Sequence, residues 1–266
     1  VSASARDDRY DIGLGHRRLA IIDLSPDGLQ PMSNEDGSIW LTSNGMIYNY
    51  ESLRDDLIDK GHVFKSRTDI EVLLHGYEEW GADLLQKLNG MFSFCIYDVR
   101  RNELFCARDR MGIKPFYYYY DQNKFICASE IKAILKDPLV PRTIDNKIAY
   151  LYLQHRVLDL DEHTFFSKIK RLKGGHFLRL SLKSNSFEIK KWWDTPPLNN
   201  SFGKIDLSET SKEFFDRLKE SVRLRLKSDV SVGVCLSGGL DSTAIFALID
   251  SIRNDTSTTS ISALYP

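Results

Sequence analysis

Val232-Gly233-Val234-Cys235-Leu236 runs directly into Ser237-Gly238-Gly239-Leu240-Asp241-Ser242, and the apolar stretch Thr243 to Ile252 follows. In order, these are a short apolar strand, a loop of glycines and hydroxyls, and a helix. A loop of this composition suits pyrophosphate. Gly238 and Gly239 let the backbone turn sharply and set bare N–H groups against phosphate oxygens. Ser237 and Ser242 add hydroxyl donors, and the helix N-terminus adds partial positive charge. Asp241 can cap the helix or hold a magnesium ion that bridges phosphates. The loop lacks the lysine of G-x-x-x-x-G-K-[ST]. The plainer alternative is a capped strand-to-helix turn in an ordinary α/β domain.

Outward from this loop, a second strand-like run covers Ser260 to Leu264. Two strands cannot bury themselves, and Val1 is not an initiator methionine, so the chain reads as an internal piece cut at both ends. Upstream, a helix is expected from about Ser208 to Leu226, with Phe214, Phe215, Leu218 and Val222 on one face. Before it, Thr195-Pro196-Pro197-Leu198-Asn199-Asn200-Ser201-Phe202-Gly203 reads as a linker. The domains are therefore set at 1–194 and 207–266, with 195–206 between them.

Residues 1–194 alternate short strands and helices. Ser38 to Thr42 reads as a strand; Tyr50, Leu53 and Leu57 mark a helix closed by Gly61; Thr68-Asp69 looks like a helix start, with Ile70, Leu73, Leu74 and Tyr77 recurring at helical spacing. Met91 to Tyr97 and Glu103 to Ala107 form a hairpin around Arg100-Arg101-Asn102. Phe116 to Tyr120 and Lys124 to Ala128 form another around Asp121-Gln122-Asn123, and a short helix from Ser129-Glu130 stops before Pro138. Antiparallel hairpins with interspersed helices point to sheets sandwiched between helices, an α+β class.

Bulk composition excludes several functions. The 266 residues are 42% hydrophobic and 27% charged, with a net charge of −1. That balance offers no footprint for nucleic acid or a membrane surface, and no apolar run reaches spanning length. Cys95, Cys106, Cys127 and Cys235 all lie in apolar runs without C-x-x-C spacing. They read as reduced core residues of a cytoplasmic protein, neither disulfides nor a metal site. The six histidines are scattered, so a zinc site is not expected.

Three segments of the first domain carry polar residues that a plain core would not need. Gly15-His16-Arg17-Arg18-Leu19-Ala20-Ile21-Ile22-Asp23 places an arginine before an apolar strand. Ser43-Asn44-Gly45-Met46-Ile47-Tyr48-Asn49 holds what reads as a tight Asn-Gly turn. Ser66-Arg67-Thr68-Asp69-Ile70-Glu71 opens a helix. Singly, they are a surface arginine, a hairpin turn and a capping box.

Together, in this order, they resemble the class II glutamine amidotransferase domain, an N-terminal-nucleophile fold. Leu88-Asn89-Gly90-Met91-Phe92-Ser93-Phe94, Ala107-Arg108-Asp109-Arg110-Met111-Gly112-Ile113-Lys114-Pro115 and Ala128-Ser129-Glu130-Ile131-Lys132-Ala133 extend the likeness. The Ser237–Ser242 loop resembles the PP-loop of enzymes that split ATP between its α- and β-phosphates. The whole chain thus resembles the glutamine-hydrolysing asparagine synthetase family. The resemblance implies an αββα sandwich followed by the truncated start of an α/β PP-loop domain of the adenine nucleotide alpha hydrolase kind.

It also implies roles. Arg18 would bind the α-carboxylate of glutamine, helped by backbone at Ile21 and Ile22. Asp69 would hold the α-ammonium group. The Asn44 side chain and the Gly45 N–H would form the oxyanion hole. Leu236, Ser237, Gly238, Gly239, Asp241 and Ser242 would hold ATP, with Ala263 touching adenine and Asp241 a magnesium ligand. Glutamine, ATP with magnesium, and aspartate or another carboxylate acceptor are the implied ligands, and a homodimer is compatible with them.

Two departures stand out. The family nucleophile is an N-terminal cysteine whose own amine is the base, and Val1 aligns downstream of it. The family usually has glutamate after Asn-Gly, where this chain has Met46; a carboxylate at that position would join Asp69 on the ammonium. Two further expectations stay open: a ligase with another acceptor, such as a sugar acid or a β-lactam precursor, and a degenerate paralogue that binds without catalysis.

Overall fold

Between Gly90 and Asp98 successive side chains go to opposite faces of one strand, and that alternation builds two cores. Phe92, Phe94 and Ile96 enter a cluster with helix residues, while Cys95 and Tyr97 enter a second cluster on the other face. The computed structural model describes residues 12–158, 160–197, 206–253 and 259–262. The chain divides into two compact units, 1–18 with 26–195, and 19–25 with 196–266.

In the first unit the strands are β1 (Met32–Ser33), β2 (Ile39–Ile47), β3 (Gly90–Asp98), β4 (Glu103–Arg108), β5 (Tyr117–Tyr120), β6 (Phe125–Ala128), β7 (Ile169–Arg171), β8 (His176–Ser181) and β9 (Phe187–Lys191). The helices are α1 (Tyr50–Asp59), α2 (Glu71–Trp80), α3 (Leu84–Lys87), α4 (Ile131–Ile134) and α5 (Asn146–His155). One sheet has six strands in the order β1-β2-β3-β4-β8-β9, and the other three in the order β6-β5-β7, with every pairing antiparallel.

Helices α1, α2 and α3 cover one face of the large sheet through Leu53, Leu57, Leu73, Tyr77, Leu84 and Leu85. Each fully buried leucine contributes about 1.5–3 kcal/mol. The opposite face meets the small sheet through Cys95, Tyr97, Leu104 and Cys106 against Phe116, Tyr118 and Leu172. Ile134, at the end of α4, closes the far side with Tyr119, Val140 and Ile169. The layers run helix, sheet, sheet, helix, the αββα sandwich that the sequence resemblance implies. Cys95, Cys106 and Cys127 meet between the sheets, with sulfurs within 4.8 Å of one another, and all four cysteines are free thiols.

Three sequence expectations are corrected here. The Asn44-Gly45 pair is not a turn: it lies inside β2, facing Ser93 and Phe92 of β3. Its glycine answers a close approach, since a Cβ at Gly45 would sit 2.7 Å from the Phe92 Cα and against the Met91 carbonyl. The run after Arg18 forms no strand, and Asp23 takes a left-handed φ of 56° that breaks the extended line.

The third correction concerns the second unit, which holds α6 (Leu207–Arg225), β10 (Gly233–Leu236), α7 (Leu240–Arg253) and β11 (Thr259–Ser262). Of the four apolar residues assigned to one face of α6, only Val222 is buried; Phe214 and Phe215 are exposed. Leu218 packs beside Val222, and the two phenylalanines keep 66% and 51% exposure. Cys235 of β10, expected in the core, is exposed as well. Asp206 caps α6 by accepting from the Ser208 and Glu209 amides. Strands β10 and β11 are parallel, joined through α7, whose Leu248 and Ile249 pack with Val222 and Val234. The linker expected at 195–206 lies mostly outside the described residues, as does Ala263. No helix among the described residues is long and apolar enough to cross a membrane.

Candidate functional site

The second half of β2 carries the first set of candidates. Trp40 packs on the inter-sheet side, and strand alternation puts Asn44 and Met46 on that same face. Asn44 donates from Nδ2 to the Ser129 hydroxyl at 3.1 Å, just past β6. This bond gives the Ala128-Ser129-Glu130 segment its purpose: it anchors the Asn44 amide. Met46 is buried at 6% exposure.

Asp69 is 5% exposed. It does not serve its own helix. Helix α2 begins at Glu71, and the Asp69 Oδ2 instead accepts the Ile47 amide of β2 at 2.7 Å. Burial pushes its carboxyl pKa up, while the Ile47 amide, Thr68 and the Arg18 charge pull it down. A buried carboxylate with a guanidinium in range is a matched receptor for a zwitterion's ammonium and carboxylate. Arg18 lies over Gly28, where a Cβ would fall 2.6 Å from its Cζ; glycine there leaves room for the guanidinium. The nearby His16 is pushed toward its neutral form, chiefly by burial.

The loop before Asp69 is tied down from two sides. Glu71 accepts the Lys65 and Ser66 amides at 2.8 Å each and the Ser66 hydroxyl at 2.6 Å. Arg54 of α1 donates to the Ser66 and Thr68 carbonyls at 2.8 and 3.0 Å. Both bonds between Ser66 and Glu71 run one way, from the Ser66 amide and hydroxyl to the carboxylate, so the reciprocal tie of a capping box is not made. Arg54 had no signal, since in sequence it is one more charge on a solvated helix.

Asp109 is the second residue that sequence reasoning left without a role. At 1% exposure it accepts four amides: Phe92 at 3.2 Å, Met111 at 3.1 Å, Ile113 at 2.9 Å and Lys114 at 2.9 Å. Arg108 binds the Lys114, Leu172 and Gly112 carbonyls at 2.6 Å each. The Arg-Asp-Arg run thus folds its own loop and clamps Phe92, the residue paired with Gly45. An aspartate followed closely by glycine and proline was the available signal.

Ile21 and Ile22 belong to the segment grouped with the second unit. There the Ile21 carbonyl accepts the Asp229 amide at 2.9 Å, and the Asp229 carboxylate accepts the Asp23 amide at 2.7 Å.

In the second unit the glycine-hydroxyl loop joins β10 to α7 as the sequence implied. Gly238 has φ +80°, which a side chain would resist. Ser237 and Ser242 hydroxyls lie 3.1 Å apart, and Ser242 also accepts the Ser237 amide at 3.3 Å. Thr243 donates its hydroxyl to the Gly239 carbonyl at 2.9 Å. Gly239 thus precedes the helix, and Asp241 stands in its first turn rather than at the cap. Residues 237–241 are exposed, with Leu236 half-buried behind them. One carboxylate beside hydroxyls and amides fits a magnesium ion that takes its other ligands from phosphates and water.

Residues 4–193 match the glutamine amidotransferase domain family and residues 213–264 the asparagine synthase family. The chain is 38% identical over 253 residues to glutamine-hydrolyzing asparagine synthetase 2 of Bacillus subtilis, covering 90% of this chain and 33% of that protein. It is 37% identical over 245 residues to amidase chry2 of Gibberella zeae, covering 91% and 35%. It is 36% identical over 241 residues to asparagine synthetase 3 of Bacillus subtilis, covering 90% and 38%. The chain spans about a third of the length of these curated relatives.

Proposed function

This chain belongs to the glutamine amidotransferase domain family, and we propose that it supplies the glutamine site and the ATP loop of an ATP-dependent amide-forming ligase. The observation that carries this reading is that one chain holds both a buried Asp69 tied to β2 and a Ser237–Ser242 loop leading into α7.

In the first unit Asp69 holds the α-ammonium of glutamine and Arg18 its α-carboxylate. That leaves the side-chain amide to reach the end of β2, where the Asn44 Nδ2 and the Gly45 N–H stabilise the oxyanion of the tetrahedral intermediate. The attacking thiolate is none of this chain's own cysteines. Three are packed between the sheets and Cys235 lies in β10. Hydrolysis of the amide yields glutamate and ammonia.

In the second unit the loop amides, Ser237, Ser242 and the α7 N-terminus hold the phosphates of ATP, and Leu236 borders adenine. Asp241 would hold the magnesium ion, which would supply charge neutralisation at the phosphates. An acceptor carboxylate oxygen attacks the α-phosphorus and pyrophosphate leaves. Ammonia then attacks the acyl carbon and AMP leaves, giving the amide. With aspartate as acceptor the product is asparagine. The likeness to an amidase at 37% identity favours, as second reading, the same chemistry on another acceptor.

The test uses the full-length protein with glutamine, ATP and aspartate. Glutamate, AMP and pyrophosphate should form in equal amounts, with the label of amide-15N glutamine in asparagine. ADP with phosphate would overturn the ATP half. AMP formed only with a different acceptor would select the second reading.

A further inference from the structure

One cluster on α2 has no part in either chemistry. His75 and Glu78 stand one turn apart on the helix, and His62 enters from the loop that leaves α1. One ligand atom from each lies within 4.8 Å of the others. Both Nδ1 atoms face the same oxygen, Glu78 Oε2, at 3.8 Å from His62 and 3.9 Å from His75.

The opposite nitrogen of each ring faces its own carboxylate. His62 Nε2 is 3.3 Å from Glu79 Oε2, and His75 Nε2 is 3.6 Å from Glu71 Oε1. The other oxygen of Glu78 accepts the Asn34 amide at 3.1 Å. His62 is thus oriented by Glu79 and Glu78 by Asn34, the kind of outer support that fixes ring angle at metal centres, while the Glu71 oxygen stands too far from His75 for a hydrogen bond.

His75 supplies the second observation. It is 1% exposed, and neither ring nitrogen has a hydrogen-bond partner among the described residues. Such a group is costly to bury. The gaps on its Nδ1 side are too long for hydrogen bonds, yet they suit a shared ion. Donors bound to one ion at about 2.1 Å lie about 3.4 Å apart at the tetrahedral angle and no more than about 4.2 Å. Both Glu78 gaps meet that limit, and the two imidazoles, within 4.8 Å of each other, would close by no more than about 0.6 Å.

We propose that His62, His75 and Glu78 form a site for a divalent transition ion of the zinc kind. Two imidazoles and a carboxylate favour such an ion over magnesium or calcium, which take oxygen ligands. Two further carboxylates, Glu71 and Glu79, complement its charge, and Arg100 stands 3.9 Å from the far oxygen of Glu78. Glu78 and Glu79 keep 23% and 35% side-chain exposure, so water can enter and complete the coordination. The ion ties the α1–α2 loop to α2, independently of the glutamine and ATP readings.

The test titrates zinc into the chelator-treated chain by calorimetry, with cobalt(II) absorption as the geometric probe. One equivalent should bind, raise the melting temperature and give nitrogen-oxygen cobalt bands without thiolate charge transfer. His62→Ala and Glu78→Gln should each weaken zinc at least a hundredfold, and Glu79→Gln by roughly 10–100-fold. Cys127→Ser should change nothing, which separates this site from the thiol trio. Failure of the wild type to bind, binding unchanged in Glu78→Gln, or loss in Cys127→Ser would each overturn the proposal. Should His62→Ala not fold, Glu79→Gln decides: unchanged affinity there rejects it.

Discussion

The proposed glutamine region and the proposed phosphate loop pose opposite problems. Around β2 the charges are buried and already engaged: Asp69 and Asp109 are 5% and 1% exposed, and both accept backbone amides. Along Ser237–Asp241 everything is exposed, and the hydroxyls bond chiefly to one another and to the loop backbone. A small zwitterion brings little net charge, so its receptor must be rigid beforehand. A polyphosphate brings its own charge and can order a loop of glycines and hydroxyls as it binds. The first region should therefore be sensitive in stability, the second in ligand affinity.

The largest expected effect follows from Asp109. Asp109→Ala strands the buried Phe92 amide and three part-buried loop amides, and should cost about 3–5 kcal/mol of stability in denaturant unfolding. The matched change Ser237→Ala, in the exposed loop, should cost under about 0.5 kcal/mol. Equal losses would break the contrast.

The glycines sharpen it further. At Gly45 a Cβ would press on the Phe92 Cα at 2.7 Å and on backbone at Met91. Gly45→Ala should cost about 1–3 kcal/mol, because a paired strand cannot step aside. Gly239 has nothing closer than the Ser237 hydroxyl at 3.4 Å, so Gly239→Ala should leave the melting temperature unchanged within about a degree or two. Its effect should appear only in nucleotide affinity.

A smaller, pH-dependent term belongs to Asp69. Its carboxyl is raised above the ordinary 3.8, chiefly by burial. Between those values the unfolded chain has lost the proton that the folded chain retains. Stability therefore falls as pH rises through that window, by about 1.4 kcal/mol per pH unit while the window lasts. Asp69→Asn keeps an acceptor for the Ile47 amide and should flatten this slope. A slope unchanged in the variant would assign the titration to another group.

Much of this architecture was legible because it rests on local pattern. The Met91–Tyr97 and Glu103–Ala107 hairpin and the helix ending before Gly61 follow from alternation, turn residues and a left-handed glycine at φ +94°. The glycine-hydroxyl loop was legible too, since strand, loop and helix are contiguous. What escaped was tertiary. Asn44-Gly45 looks like a turn until β3 is seen crowding it. Asp69 looks like a cap until Ile47 claims it. Arg54 and Ser129 act on residues far away in sequence, as does Asp109 where it reaches Phe92, and no spacing rule reaches those bonds. Met46 is the same lesson: a glutamate there would share the ammonium only after meeting the desolvation cost of a nearly buried position.

The central claim is that the Asp69 pocket receives glutamine. Calorimetric titration of glutamine into the chain, wild type beside Asp69→Asn at neutral pH, tests it most directly. Saturable binding by the wild type is expected, with a roughly ten- to hundredfold loss in the variant, the value of a charge-assisted bond of about 1.5–3 kcal/mol. The melting temperature should stay equal or rise. Equal glutamine affinity in the two proteins, or no binding by the wild type, would contradict the account.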